Sequence, residues 1–114
     1  YPPAIRKVLG EAVAASVLLA ATLKFEGTLS LQVQGDGPMH LLLAQCSNEL
    51  GVRAVARYRD LPAEMESDAD LSSLAGAARL MVTLENDDLS QRYQGIVPIQ
   101  GGLAESLQGY FENS

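Results

Sequence analysis

The sequence has very few of the residues from which most catalytic and metal sites are built. Its 114 residues include one cysteine, Cys46, and one histidine, His40. A single thiol excludes an internal disulfide and indicates a reducing compartment such as the cytoplasm. Both residues fall on one predicted strand, roughly 20 Å apart at the rise of a β-strand. That distance is too long for a shared zinc ion or for a paired nucleophile and base.

The motifs of several other chemistries are also missing. There is no G-x-S-x-G nucleophile turn, and Gly35-Asp36-Gly37 precedes a strand and lacks the lysine of a phosphate-binding loop. The acidic residues in 64–70 and 85–88 do not have the spacing of a calcium loop. We therefore expect that the chain is not an enzyme and that it has no catalytic, cofactor-binding or metal-binding residue.

Tryptophan is absent and aromatic residues make up 5% of the chain, so the core must be built from Ala, Leu and Val. The net charge of −6 disfavours nucleic acid and anionic membranes as partners. At strand spacing, Arg53, Arg57 and Arg59 form a short basic stripe, and no aromatic residue shares their side of the strand. We interpret this stripe as a solvated sheet face.

The segment from Ala12 to Leu23 carries no charge, and its only polar side chains are Ser16 and Thr22. Its 12 residues are fewer than the about 20 that a membrane-spanning helix needs. The pattern predicts a helix over 4–24, and a helix that is apolar on all sides is typical of a protein interior. We expect other elements to cover it on more than one side.

The remainder of the chain predicts an α+β fold. Strict alternation of polar and apolar residues predicts a strand over 28–34, and further strands are predicted over 40–46, 52–58, 79–85 and 93–100. Gly35 to Pro38 predicts a hairpin turn, and Asp70 and Gly76 predict the ends of a short helix over 71–75. A last helix over 103–111 has an apolar stripe of Leu103, Leu107, Tyr110 and Phe111. Two mainly antiparallel sheets with the long apolar helix buried between them, a three-layer β/α/β arrangement, would cover that helix.

Four apolar residues fall opposite the core register assigned to these strands: Leu42, Val55, Met81 and Ile96. Two explanations remain open. Neighbouring helices or further segments of the protein cover both faces of the sheets, or these residues form a contact surface for a partner or an unfolded client protein.

Several motifs together resemble the heat shock protein 33 family of bacterial chaperones. They are the ATLKF-x-G junction at 21–27, Q-x-QGDGPM at 32–39, RYQG-x-V at 92–97 and YF-x-x-S at 110–114. The resemblance implies that residues 1–114 are a single domain, part of the N-terminal chaperone domain. Members of the family are cytoplasmic, redox-regulated holdases that form homodimers and bind unfolding proteins under oxidative or heat stress without ATP.

The resemblance also implies a zinc centre of four cysteines in C-x-C and C-x-x-C pairs, in a C-terminal domain. Those cysteines are absent from this sequence, and Cys46 matches none of them. We therefore expect no zinc or other cofactor in this chain. An alternative function is a structural or dimerisation scaffold, with client binding in segments outside these residues.

Overall fold

The computed structural model describes residues 1–23, 27–47, 51–86, 92–99 and 102–112. Their elements are, in chain order, α1(Pro3–Leu23), β1(Gly27–Gly35), β2(Met39–Ser47), β3(Gly51–Tyr58), α2(Ala63–Glu66), α3(Leu71–Ala75), β4(Ala78–Asn86), β5(Arg92–Pro98) and α4(Leu103–Glu112). This α+β order confirms every predicted helix and strand, and α2 is a short addition in the segment 60–70, which contains five acidic residues. Lys24, Gln100 and the side chains of Tyr110 and Phe111, which the sequence predictions include, lie outside the described residues.

The five strands form one antiparallel sheet in the order β3-β2-β1-β4-β5. The prediction that they divide between two sheets is wrong, because β4 pairs with β1 along its whole length. Strand periodicity identifies the buried face of each strand but not its neighbour. β1 therefore becomes the central strand, with Leu29, Leu31 and Val33 buried on its inner face, which we define as the face that packs on the helices.

One flank of α1 packs on the inner face and the opposite flank is exposed. Ile5, Val8 and Ala12 are buried, whereas Val17 and Leu18 are 41% and 66% exposed. Among the described residues, the prediction that other elements cover this helix on more than one side is therefore not confirmed. We call Ala14, Val17, Leu18 and Ala21 the exposed flank of α1.

The polar residue on the buried flank of α1 is satisfied within the helix. Ser16 is fully buried, and its hydroxyl donates to the carbonyl of Val13 at 2.8 Å. This bond removes the cost of a buried hydroxyl, so the sheet can pack over it. Among the described helices, none has the length and hydropathy of a membrane span.

The predicted β1–β2 hairpin turn is docked against the end of α3. The N–H of Gly37 donates to the Ala75 carbonyl at 2.8 Å, and Asp36 Oδ1 accepts from the N–H of Ala77 at 2.8 Å. A Cβ atom on Gly37 would lie 2.5 Å from the Leu74 carbonyl oxygen. The glycines of the Q-x-QGDGPM motif thus allow two backbone segments to approach closely.

Asp70 caps α3 as predicted, since its Oδ1 accepts from the N–H of Ser73 at 2.8 Å. Hydrogen bonds from Ser73 lower the pKa of Asp70 below its usual value of 3.8. We expect Asp70→Ala to lower the free energy of unfolding by about 1 kcal/mol at neutral pH. Because the folded-state pKa is depressed, the charge-dependent part of this contribution is present above pH 3.8 and is lost as the pH falls through the folded-state value.

Urea unfolding at neutral pH and below pH 3.8 measures this difference. Asp70→Asn is the control, since its amide oxygen can still accept from Ser73 and should retain most of the stability. Absence of any loss for Asp70→Ala at neutral pH would show that this side chain does not stabilise α3 as a cap.

Candidate functional site: the outer face of the sheet

The face of the sheet opposite the helices, which we call the outer face, has no layer over it among the described residues. The strand register arranges its side chains in rows that run across the five strands. Neighbouring positions in a row are about 4.8 Å apart, so a row extends about 19 Å across the sheet. The chemistry of the outer face can therefore be described row by row.

One row, which we call the apolar row, is hydrophobic on four of its five strands. In the order β3 to β5 it consists of Val55, Leu43, Gln32, Met81 and Ile96. Val55 and Ile96 are 39% and 54% exposed, and Met81 is half-buried. Val55, Met81 and Ile96, which the sequence places opposite the core register, thus lie in a single row.

Leu42, the fourth of these residues, is only 1% exposed and faces the helices. Its neighbours across the sheet are Val33 and Ala56, both in the core. A β-bulge between Met39 and Leu41 shifts the alternation of β2 by one residue, and the sequence pattern does not reveal this shift. The prediction that Leu42 lies on an outer contact surface is wrong.

The bulge has a second consequence, because it places Leu41 and Leu43 on the outer face. Sequence reasoning missed both residues. The run of three leucines at 41–43 shows no alternation, so it gives no register. A continuous apolar run indicates that both faces of a strand are apolar. This run was therefore the signal in the sequence that could have placed leucines on the outer face.

Polar rows lie on both sides of the apolar row. On one side the row is Arg53, Gln45, Ser30, Thr83 and Gln94; on the other it is Arg57, Leu41, Gln34, Arg79 and Pro98.

Hydrogen bonds connect much of the first polar row. Arg53 Nε donates to Gln45 Oε1 at 2.8 Å, and Gln45 Nε2 donates to Ser30 Oγ at 3.2 Å. At the other end, Gln94 Nε2 lies 3.1 Å from Met81 Sδ. Amide and guanidinium groups therefore border the apolar row directly.

The outer face has the properties of a binding surface. Leu43, Arg53, Ala54 and Val55 line a surface depression of about 250 Å³ at its β3 side. The outer face thus offers exposed apolar area together with hydrogen-bond donors and acceptors.

His40 and Cys46 do not form a joint site. His40 lies in the bulge of β2, where its Nδ1 is buried without a hydrogen-bond partner among the described residues. Cys46 pairs with Leu29 and Val52 on the inner-face register and is half-buried. Within the described ranges, no group of three or more His, Cys, Asp or Glu side chains is placed to hold a metal ion. The described residues thus do not supply the ligands of a zinc centre.

The exposed flank of α1 is a second apolar surface, but it differs in chemistry. It presents only alanine, valine and leucine side chains, and its backbone groups are used within the helix. Small side chains on a helix allow another element to pack closely. This flank therefore suits a partner whose own hydrogen bonds are already satisfied, such as a formed sheet or helix.

Comparison with known proteins gives consistent results across the whole chain. The model of the Hsp33 protein family matches residues 1–114. The chain is similar to proteins named 33 kDa chaperonin, with 44% identity over 115 residues in Aliivibrio salmonicida and 45% over 115 residues in Shewanella denitrificans. Both alignments cover 100% of this chain and 38% of the relative, so the chain spans well under half of these proteins.

A solved structure gives the same result for the fold. It is the crystal structure of the 33 kDa chaperonin, a heat shock protein 33 homologue, from Thermotoga maritima. The two structures superpose with a TM-score of 0.74 and 28% sequence identity, over 91% of this chain and 37% of the other. The fold described above is thus similar to that of an experimental structure.

Proposed function

The chain belongs to the Hsp33 protein family, and on this premise we propose that it is part of the chaperone domain of an ATP-independent holdase. In this function the outer face binds unfolding proteins and prevents their aggregation under heat or oxidative stress. The observation that carries the proposal is the apolar row, which crosses all five strands between two polar rows. Binding here requires no catalytic residue.

An unfolded client exposes apolar side chains and peptide groups at the same time. Burying the side chains contributes about 25 cal/mol per Å² without requiring a particular sequence. Burying a peptide group is costly unless it forms a hydrogen bond. Without one, burial costs several kcal/mol of binding free energy. The glutamine and arginine side chains beside the apolar row supply such partners, whereas the exposed flank of α1 supplies none. The outer face is therefore the better surface for an unfolded chain.

We assign a different role to the exposed flank of α1. In the complete protein, a second sheet from outside these 114 residues covers it and produces a three-layer β/α/β domain. The exposed apolar side chains of Val17 and Leu18 support this proposal. The chain also spans 38% of the length of its relative, so segments outside it can supply the second sheet. The complete protein would be a cytoplasmic homodimer, and a C-terminal zinc centre outside this chain would regulate it by oxidation.

A light-scattering assay on a heat-aggregating client tests the proposed function. We expect the chain to suppress aggregation at a few-fold molar excess. Absence of suppression at any ratio would contradict client binding by this part of the protein.

The exposed flank of α1 also favours a second function, in which the chain is a structural or dimerisation scaffold and clients bind to other segments. In that case the 114 residues alone would be inactive. Activity would return only when the remaining segments are joined to them.

A further inference from the structure

The charge on the outer face is opposite to that of the whole chain. Among the strand residues that the structure describes, four exposed arginines and one half-buried glutamate belong to this face, whereas the chain carries a net charge of −6. The arginines are Arg53, Arg57, Arg79 and Arg92, and the glutamate is Glu85. Half of the eight basic residues of the protein thus lie on one face of one sheet.

Two of these arginines already have partners on the outer face. Arg53 Nε donates to Gln45, and Arg92 Nε lies 3.7 Å from Glu85 Oε1 in an exposed ion pair. Arg57 and Arg79 have no acidic partner within the described ranges. Their charges are therefore available to a ligand.

Arg57 and Arg79 share one row of the sheet and border the apolar row from the same side. They are three strands apart, which is about 14 Å. In an extended peptide, side chains at positions i and i+4 point to the same side and are also about 14 Å apart. The residue at i+2 would lie between them, beside Leu41 and the apolar row.

We propose that the outer face selects unfolded polypeptide segments in which acidic residues flank an apolar one, in the pattern acid-x-apolar-x-acid. The carboxylates bind Arg57 and Arg79, and the apolar side chain packs on Leu41 and Leu43. Arginine suits this role because its planar guanidinium can bind a carboxylate through two hydrogen bonds. This inference rests on the proposed function, since it specifies the class of client segment that the same surface prefers.

Three fluorescein-labelled peptides of equal length test the inference. They repeat Asp-Ser-Leu-Ser, Asn-Ser-Leu-Ser or Lys-Ser-Leu-Ser, so only the charge differs. At low ionic strength, fluorescence anisotropy should show that the aspartate peptide binds at least ten-fold more tightly than the lysine peptide. Added salt should reduce the ratio, because it screens exposed charges.

Two matched double variants test whether Arg57 and Arg79 cause the preference for the aspartate peptide. In Arg57→Gln with Arg79→Gln the ratio between the aspartate and lysine peptides should fall below three-fold, while binding of the asparagine peptide is retained. Arg6→Gln with Lys7→Gln removes the same charge from exposed positions on α1, and it should leave most of the ratio intact.

The outcomes separate this inference from the proposed function. Equal binding of all three peptides would overturn the charge preference and leave client binding in place. An equal effect of both double variants would also overturn it, since net charge alone would then explain the preference. Failure of every peptide to bind, together with failure to suppress aggregation, would overturn the proposed function as well. Tighter binding of a single-stranded RNA than of the aspartate peptide, lost in the Arg57 and Arg79 variant, would assign this face to nucleic acid instead.

Discussion

Gly35→Ala is expected to lower the free energy of unfolding by about 3 kcal/mol, at the upper end of the usual cost of overpacking. The added Cβ would overlap the carbonyl oxygen of Ala75, and it would also lie 2.9 Å from the Cβ of Ala78. A backbone carbonyl cannot rotate away as a flexible side chain can. To relieve this overlap, the hairpin turn must separate from the end of α3. This separation breaks the hydrogen bond from the N–H of Gly37 to the Ala75 carbonyl. In thermal unfolding we expect the midpoint to fall by more than about 10 °C.

Gly10→Ala is the matched control. Gly10 lies in the exposed part of α1, and a Cβ there has no neighbour within 4 Å. Alanine at this position should stabilise the protein by about 0.5–1 kcal/mol, because it restricts the unfolded chain more than glycine does. If Gly35→Ala had no larger effect than Gly10→Ala, the turn and α3 would not be in close contact.

Met81→Gln combined with Ile96→Thr is expected to weaken client binding by about ten-fold. Both residues lie in the apolar row, and Ile96 is 54% exposed before any client binds. The loss of their remaining apolar area corresponds to about 1.5 kcal/mol, which is about ten-fold in affinity. The light-scattering assay should show this as a higher molar excess of the chain at half-suppression.

Val17→Thr combined with Leu18→Gln removes a similar apolar area from the exposed flank of α1. We expect this control to suppress aggregation as the unmodified chain does. Threonine is a good strand former, and all four positions are at least partly exposed, so neither double variant should disrupt the core. A stronger loss from the α1 variant would contradict client binding by the outer face.

Local sequence signals predicted the elements of the fold, because each element has its own pattern. The strict alternation at Leu29, Leu31 and Val33 identified β1, and Asp70 and Gly76 identified both ends of α3. The pairing of β4 with β1 could not be predicted, since it depends on contacts between segments about fifty residues apart. The uncharged helix predicted a second sheet. In the described residues, however, one side of α1 is covered and the opposite flank is exposed.

The candidate site was predictable where strand alternation is regular. Val55, Met81 and Ile96 lie on the outer face as the alternation indicates, and the register shows in addition that they share one row. Leu42 was misassigned, and Leu41 and Leu43 were missed, because a bulge at His40 interrupts the alternation within an apolar run. Arg79 was likewise not connected with Arg57, since only the strand order brings both into one row.

Photo-crosslinking to a heat-unfolded client tests most directly whether the outer face is the client-binding surface. A photoreactive amino acid would replace Ile96 on the outer face in one variant and Leu18 on α1 in another, two apolar side chains that are 54% and 66% exposed. We expect strong crosslinks to the client from position 96 and weak ones from position 18. Crosslinks mainly from position 18 would contradict client binding by the outer face and assign it to the helix.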